Sequence, residues 1–152
     1  MVGKGAGSSL AAMPRIIAID HGSKRVGLAV TDPLGIIATA LDTVAESELF
    51  TYLKRYASTE AVEGFVVGMP MNLNGTPTDA TAAVETFVKH LRKAFPACWV
   101  ETVDERFTSS MAQRTMLASG KGRMARRDKG ALDRISATII LQGWMEQGRR
   151  GQ

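Results

Sequence analysis

Apolar residues change their spacing along this chain in a regular succession, and each change marks an element. From Ile16 to Ile19 they run without a break, as in a strand covered on both faces. The run ends in an acid, Asp20, and Gly22 follows before a second apolar run, Val26 to Val30. The two read as strands joined by a tight glycine-containing turn. Asp32-Pro33-Leu34-Gly35 is turn chemistry, and Ile36 to Leu41 predicts a third short strand. Three strands with short links form an antiparallel meander.

The period then becomes helical. Leu49, Phe50, Leu53, Tyr56 and Ala57 share a helix face, with Thr43 or Ser47 as candidate N-caps. Gly64 to Gly68 predicts a fourth strand that stops at Met69-Pro70. After the loop Met71 to Gly75, Thr76-Pro77-Thr78-Asp79 offers a cap, a first-position proline and an acid, a good helix start. Its predicted buried stripe is Ala80, Val84, Phe87, Val88, Leu91 and Phe95, and Pro96 ends it. Trp99 to Val103 predicts a fifth strand, again finishing in acid at Asp104-Glu105. A short helix over Thr108–Ala118 is closed by Gly120. The last helix runs from about Lys129 to Gln147, with Leu132, Ile135, Ile139 and Ile140 in its core.

The order βββαβαβα restricts topology. Right-handed crossovers around the two central helices make strands one, four and five parallel. Their C-terminal ends share one edge, where open α/β sheets place ligands. Asp20, the Met69–Asn72 loop and Asp104-Glu105 converge there, far apart though they are in sequence. Asp133 lies in an otherwise apolar run near the start of the last helix, and joins them if that helix packs across the edge. An acid closing a buried strand is costly unless paired, hydrogen-bonded or metal-bound. Asp20 taken alone serves equally well as a cap of its turn.

Composition narrows the partners. The length of 152 residues suits one domain with a proper core. Residues 13–148 are expected to form it, with 1–12 and 149–152 as flexible tails; Met13 could itself be an initiator. A single cysteine, Cys98, leaves no internal disulfide and reads as a small hydrophobe beside Trp99. The absence of an apolar run near 18 residues or of a signal-like start points to a soluble, cytoplasmic chain without membrane contact. The net charge is +4, but Arg114 to Arg134 alone carries seven basic residues against Asp128 and Asp133. A cluster of this kind favours a polyanionic partner over a merely solvated loop.

Converging carboxylates repel unless a cation lies between them. Oxygen ligands without Cys suit Mg²⁺ or Mn²⁺. His21, the only histidine near these acids, reads as a solvated turn residue. Two such ions about 4 Å apart can activate water and stabilise the leaving oxygen in phosphodiester cleavage. A basic segment alongside would hold the nucleic-acid backbone. The residues thus predict a metal-dependent nuclease.

Four stretches carry a resemblance: IDHGSKRVGLAVTDPLG from Ile19, VVGMPMNLNG from Val66, VDERFTS from Val103 and LDRISATIILQG from Leu132. In order and content they resemble the YqgF family, also called RuvX, described as Holliday junction resolvases or pre-16S rRNA nucleases. The resemblance spans Met13 to Gln147. It implies an α/β, RNase H-like three-layer fold whose five-stranded mixed sheet has the order 3-2-1-4-5. It also implies a bacterial nuclease in 5′-end maturation of pre-16S rRNA, with pre-rRNA favoured over branched DNA, ribosomal precursors as partners, and either a monomer or a dimer.

Carried over by position, Asp20, Glu105 and Asp133 are the catalytic and metal-ligating acids, with Asp104 as alternate for Glu105. Glu105 is preferred because strands one and five are roughly 10 Å apart, and a longer side chain closes the gap better. The substrate-binding candidates are Lys24, Arg25, Asn72, Arg106, Thr108, Lys121, Arg123, Arg126, Arg127 and Lys129. Arg106 and Thr108 could equally pair with Asp104 and cap the next helix. The rivals are a non-catalytic RNA- or ribosome-binding protein and, more distantly, an actin-like phosphotransferase. The latter needs two domains and a second Asp-x-Gly turn, and the chain has neither.

Overall fold

The computed structural model describes residues 13–72, 74–104 and 129–147, with side chains in the last segment from Asp133 onward. Five strands form one mixed sheet in the order β3-β2-β1-β4-β5. They are β1 (Arg15–His21), β2 (Arg25–Thr31), β3 (Ala38–Ala45), β4 (Val62–Met69) and β5 (Trp99–Asp104). The first three make the expected meander, with Ile17 paired to Val30 and Ala29 to Ala40. β4 runs parallel to β1 and β5 parallel to β4, with Ile19 beside Val67 and Met69 beside Asp104.

Helices α1 (Leu49–Thr59) and α2 (Asp79–Ala94) cover one face, and α3 (Lys129–Glu146) covers the other. Strand alternation decides which side chain meets which layer. Ile17, Ile19, Val26, Leu28, Phe65 and Val67 pack with α1 and α2. Ile16, Ala18, Ala29 and Val66 pack against Ala137, Ile140, Leu141 and Trp144 of α3. β1 is therefore apolar on both faces because it is the middle strand of a three-layer sandwich. Truncating Phe65, fully buried at its centre, would cost about 3–5 kcal/mol.

Several boundaries differ from the expected ones. The third strand begins at Ala38, not Ile36, because Oδ1 of Asp32 accepts the N–H groups of Ile36 (2.6 Å) and Ile37 (2.8 Å). Those bonds curl both residues into the turn and leave their side chains 63% and 51% exposed. Strand pairing starts only at Thr31 and Ala38 and carries Thr43 into the sheet, so Thr43 caps no helix. Ser47 lies in a 3₁₀ turn, Glu46–Glu48, and α1 begins without a side-chain cap.

The start of α2 is displaced by two residues. Pro77 forms an isolated bridge with Met71, and Thr78 is the cap. Thr78 Oγ1 accepts the Thr81 N–H at 3.3 Å while Thr81 Oγ1 accepts the Thr78 N–H at 2.8 Å, a reciprocal box with threonine in the usual Glu position. The Thr81 hydroxyl also donates to the Pro70 carbonyl (2.5 Å), which ties α2 to the end of β4. Thr81 is thus buried and Ala80, one position round the helix, is exposed. On α3, Ile140 is buried as expected but Ile135 and Ile139 only half so, because the inner stripe runs through Ala137, Ile140, Leu141 and Trp144. The side chain of Leu132, the short helix expected over Thr108–Ala118, and nearly all of the basic segment lie outside the described residues.

Candidate functional site

The site is built on the face that α3 covers. Ile16 and Ala18 point to that face, so the period of two brings Asp20 to it as well, at the C-terminal end of β1 and half-buried. Its neighbour across the antiparallel pair is Gly27. The place where Gly27 would carry a side chain is filled by the carbonyl and Cβ of Asp133. A glycine inside a strand often marks such a close approach of another backbone. Asp133 therefore lies over the strand next to Asp20, and the two acids share one face and one edge.

Two anchors set the line of α3. Early in the helix, Nε–H of Arg25 donates to Oδ2 of Asp133 at 2.8 Å, joining residues 108 positions apart. Arg134 donates to Thr43 Oγ1 (3.2 Å), and Gln142 Oε1 accepts the Ala38 N–H (3.2 Å). Near the C-terminus, the Trp144 ring stacks on Trp99 with centroids 5.2 Å apart, and its Nε1–H donates to Glu101 Oε1 at 3.0 Å. Gly64 leaves room for the Trp99 indole, which a Cβ there would overlap. The helix thus lies along the β3–β2–β1 side of the sheet and reaches β5 through Trp144, and Asp133 is held near its start.

The other candidates divide. Trp99, Glu101 and Val103 face α3, so Asp104 stands on the opposite face, away from Asp20 and Asp133. Glu105, Arg106, Thr108, Lys121, Arg123, Arg126 and Arg127, and the side chain of Lys129, lie outside the described residues. Among the described residues, no group of three His, Cys, Asp or Glu side chains is placed to hold a metal ion. Asp20 and Asp133, two hard oxygen donors on one face, fit two ligands of a Mg²⁺ or Mn²⁺ site.

Lys24 is exposed in the β1–β2 turn, and its carbonyl accepts the Glu46 N–H at 2.9 Å. Asn72 shapes its own loop: its side-chain amide donates to Thr76 Oγ1 (3.0 Å) and to the Pro77 carbonyl (3.3 Å). His21 is not the solvated turn residue the sequence suggests. Its ring stacks on Phe87 at 4.6 Å, Nε2 lies 3.4 Å from Glu46 Oε2, and the side chain is 9% exposed. It belongs to the α1/α2 face and fastens the end of β1 from behind. Cys98 packs as a small half-buried residue: burial pushes its thiol up, and Sγ–H donates to the Val62 carbonyl at 3.3 Å. Two parts of the site were missed from sequence, the Arg25–Asp133 pair and the close approach at Gly27. The only signal for the second was a glycine in the middle of an apolar strand.

Sheet order, layering and acids at the C-terminal edge define an RNase H-like nuclease fold. Among solved structures, RuvC of T. thermophilus in complex with a Holliday junction substrate shares this fold. It matches 90% of this chain and 97% of its own at a TM-score of 0.56 and 15% identity. Residues 14–147 match the RuvX family, described as Holliday junction resolvase, and the chain belongs to that family. Relatives include proteins of Porphyromonas gingivalis (49% identical over 91% of this chain and 100% of the relative) and Flavobacterium johnsoniae (46%, over 90% and 99%). One of Bacteroides thetaiotaomicron is 46% identical over 90% of this chain and 99% of its own. All three carry the name "Putative pre-16S rRNA nuclease". The chain is a nuclease, a hydrolase of phosphodiester bonds in nucleic acid. No helix among the described residues is long and apolar enough to cross a membrane.

Proposed function

We propose that this protein is a divalent-metal-dependent nuclease that matures the 5′ end of pre-16S rRNA in the cytoplasm, acting on ribosomal precursors. The observation that carries the reading is that Asp133 lies over Gly27, the cross-strand neighbour of Asp20, on the α3 face. Glu105 is the third acid, since a β5 that keeps its period for one residue more turns that side chain to the same face. These three would hold Mg²⁺ or Mn²⁺, which when bound supplies charge stabilisation at the attacking and leaving oxygens.

The rest falls to the chain itself. Asp20 closes β1 just beyond Ile16 and Ala18, which are buried against α3. Lys24 stands exposed beside the site, and Arg106, Thr108, Lys121, Arg123, Arg126, Arg127 and Lys129 follow in sequence as phosphate contacts. Asn72 acts by holding the loop beside β4.

The test is a cleavage assay with purified protein and Mg²⁺ or Mn²⁺, offering pre-rRNA fragments, unrelated single-stranded RNA and four-way DNA junctions in parallel. Pre-rRNA should be cut in preference, EDTA should stop the reaction, and Asp20→Asn should abolish it while RNA affinity and fold persist. Preferential junction cleavage would reassign the substrate. Full activity in Asp20→Asn or in EDTA would sink the mechanism.

A further inference from the structure

Arg25 sits at the start of β2, paired with Ala45, and its carbonyl closes the turn by accepting the Gly22 N–H at 3.0 Å. Its backbone is therefore fixed, while its side chain remains 42% exposed and that of Asp133 only 20%. Arg25 and Gly27 lie two residues apart on the face that α3 covers, so the half-exposed guanidinium reaches Asp133 where its backbone lies over Gly27. The guanidinium is a cation with donors only. A divalent cation binding Asp133 must displace or crowd this charge.

We infer that Arg25 is the internal countercharge of the acid pair. It neutralises Asp133 while no divalent ion is bound, gives way when one binds, and then turns to a substrate phosphate. This rests on the reading of Asp133 as a metal ligand. It makes Arg25 a positioning residue that couples ion binding to nucleic-acid binding, because one guanidinium serves one partner at a time. By linkage, whatever draws Arg25 toward phosphate tightens the ion site by the same factor.

Calorimetric titration of the intact chain with Mn²⁺, without nucleic acid, tests the first half. Arg25→Gln should bind Mn²⁺ more tightly than wild type, by about three- to five-fold, the range of a partly exposed ion pair. Arg25→Lys keeps the charge and should stay near wild type. Equal or weaker Mn²⁺ binding in Arg25→Gln overturns the proposal, as does an Arg25→Lys that behaves like Gln. Asp133→Asn is titrated alongside. If it binds Mn²⁺ as well as wild type, the metal reading of the site fails instead, so the two failures are told apart.

Binding of a single-stranded RNA tests the second half, with Ca²⁺ as a hard ion of similar ligand preference. With Ca²⁺ present, the log–log salt slope of wild type should exceed that of Arg25→Gln by about 0.7, one phosphate contact. In EDTA the two slopes should coincide. A slope difference that is the same with and without the ion overturns the switch.

Discussion

Asp133 rests on Gly27: its carbonyl and Cβ occupy the space a side chain there would need. A methyl group at this position meets backbone, which cannot swing aside. Gly27→Ala should therefore lift the start of α3 from β2, costing about 1–3 kcal/mol by overpacking, and should reduce cleavage beyond what the stability loss explains. Gly143, on the same helix with no described residue near its missing Cβ, is the control. Gly143→Ala should stabilise by up to about 1 kcal/mol with activity intact. Urea denaturation together with a cleavage assay separates the two.

Asp104 closes β5 on the face opposite Asp20, and the proposal that Glu105 rather than Asp104 is the third acid has a direct test. Glu105→Gln should lose cleavage almost completely, and Asp104→Asn should lose little. Rates measured on one RNA substrate decide the matter. An equal or reversed pair of losses would mean that the strand does not keep its alternation to its end.

Arg126 and Arg127 test the substrate-holding role of the basic segment. Contacts to phosphate give affinity without sequence reading and release counterions. Replacing both with Ala should weaken binding across unrelated RNA sequences and lower the log–log salt slope by roughly 0.7 per lost contact. Folding stability should move by less than about 0.5 kcal/mol. Unchanged affinity and slope would return the segment to a solvated loop.

Asp32 offers a pH test away from the site. Its carboxylate is held below the usual value of 3.8, first by the Ile37 N–H and further by that of Ile36, against partial desolvation. A lowered folded-state pKa means that the stabilisation is complete above the unfolded value and fades as pH falls through the folded one. Asp32→Ala should thus be less stable than wild type at pH 7, and the gap should narrow below pH 3.8. A gap constant from pH 7 to pH 2 would show that the turn does not depend on this charge.

By itself the sequence determined what depends on spacing along one segment. The unbroken Ile16–Ile19 run, the meander and the parallel crossovers were legible because period and short links restrict local geometry. They led to the observed meander and to parallel β1, β4 and β5 with Asp20 at their C-terminal edge, while the full order 3-2-1-4-5 followed from the family resemblance. Element starts were less legible, since they turned on single hydrogen bonds: the Asp32 carboxylate delayed β3, and Thr81 rather than an acid completed the cap of α2. Tertiary structure alone decided how Asp133 comes to lie over the strand beside Asp20. That placement depends on a glycine 106 residues before Asp133 and an arginine 108 before it, two contacts without any local period. Such contacts form only when α3 is laid across a finished sheet, and their physical basis is close packing between layers rather than a pattern within one.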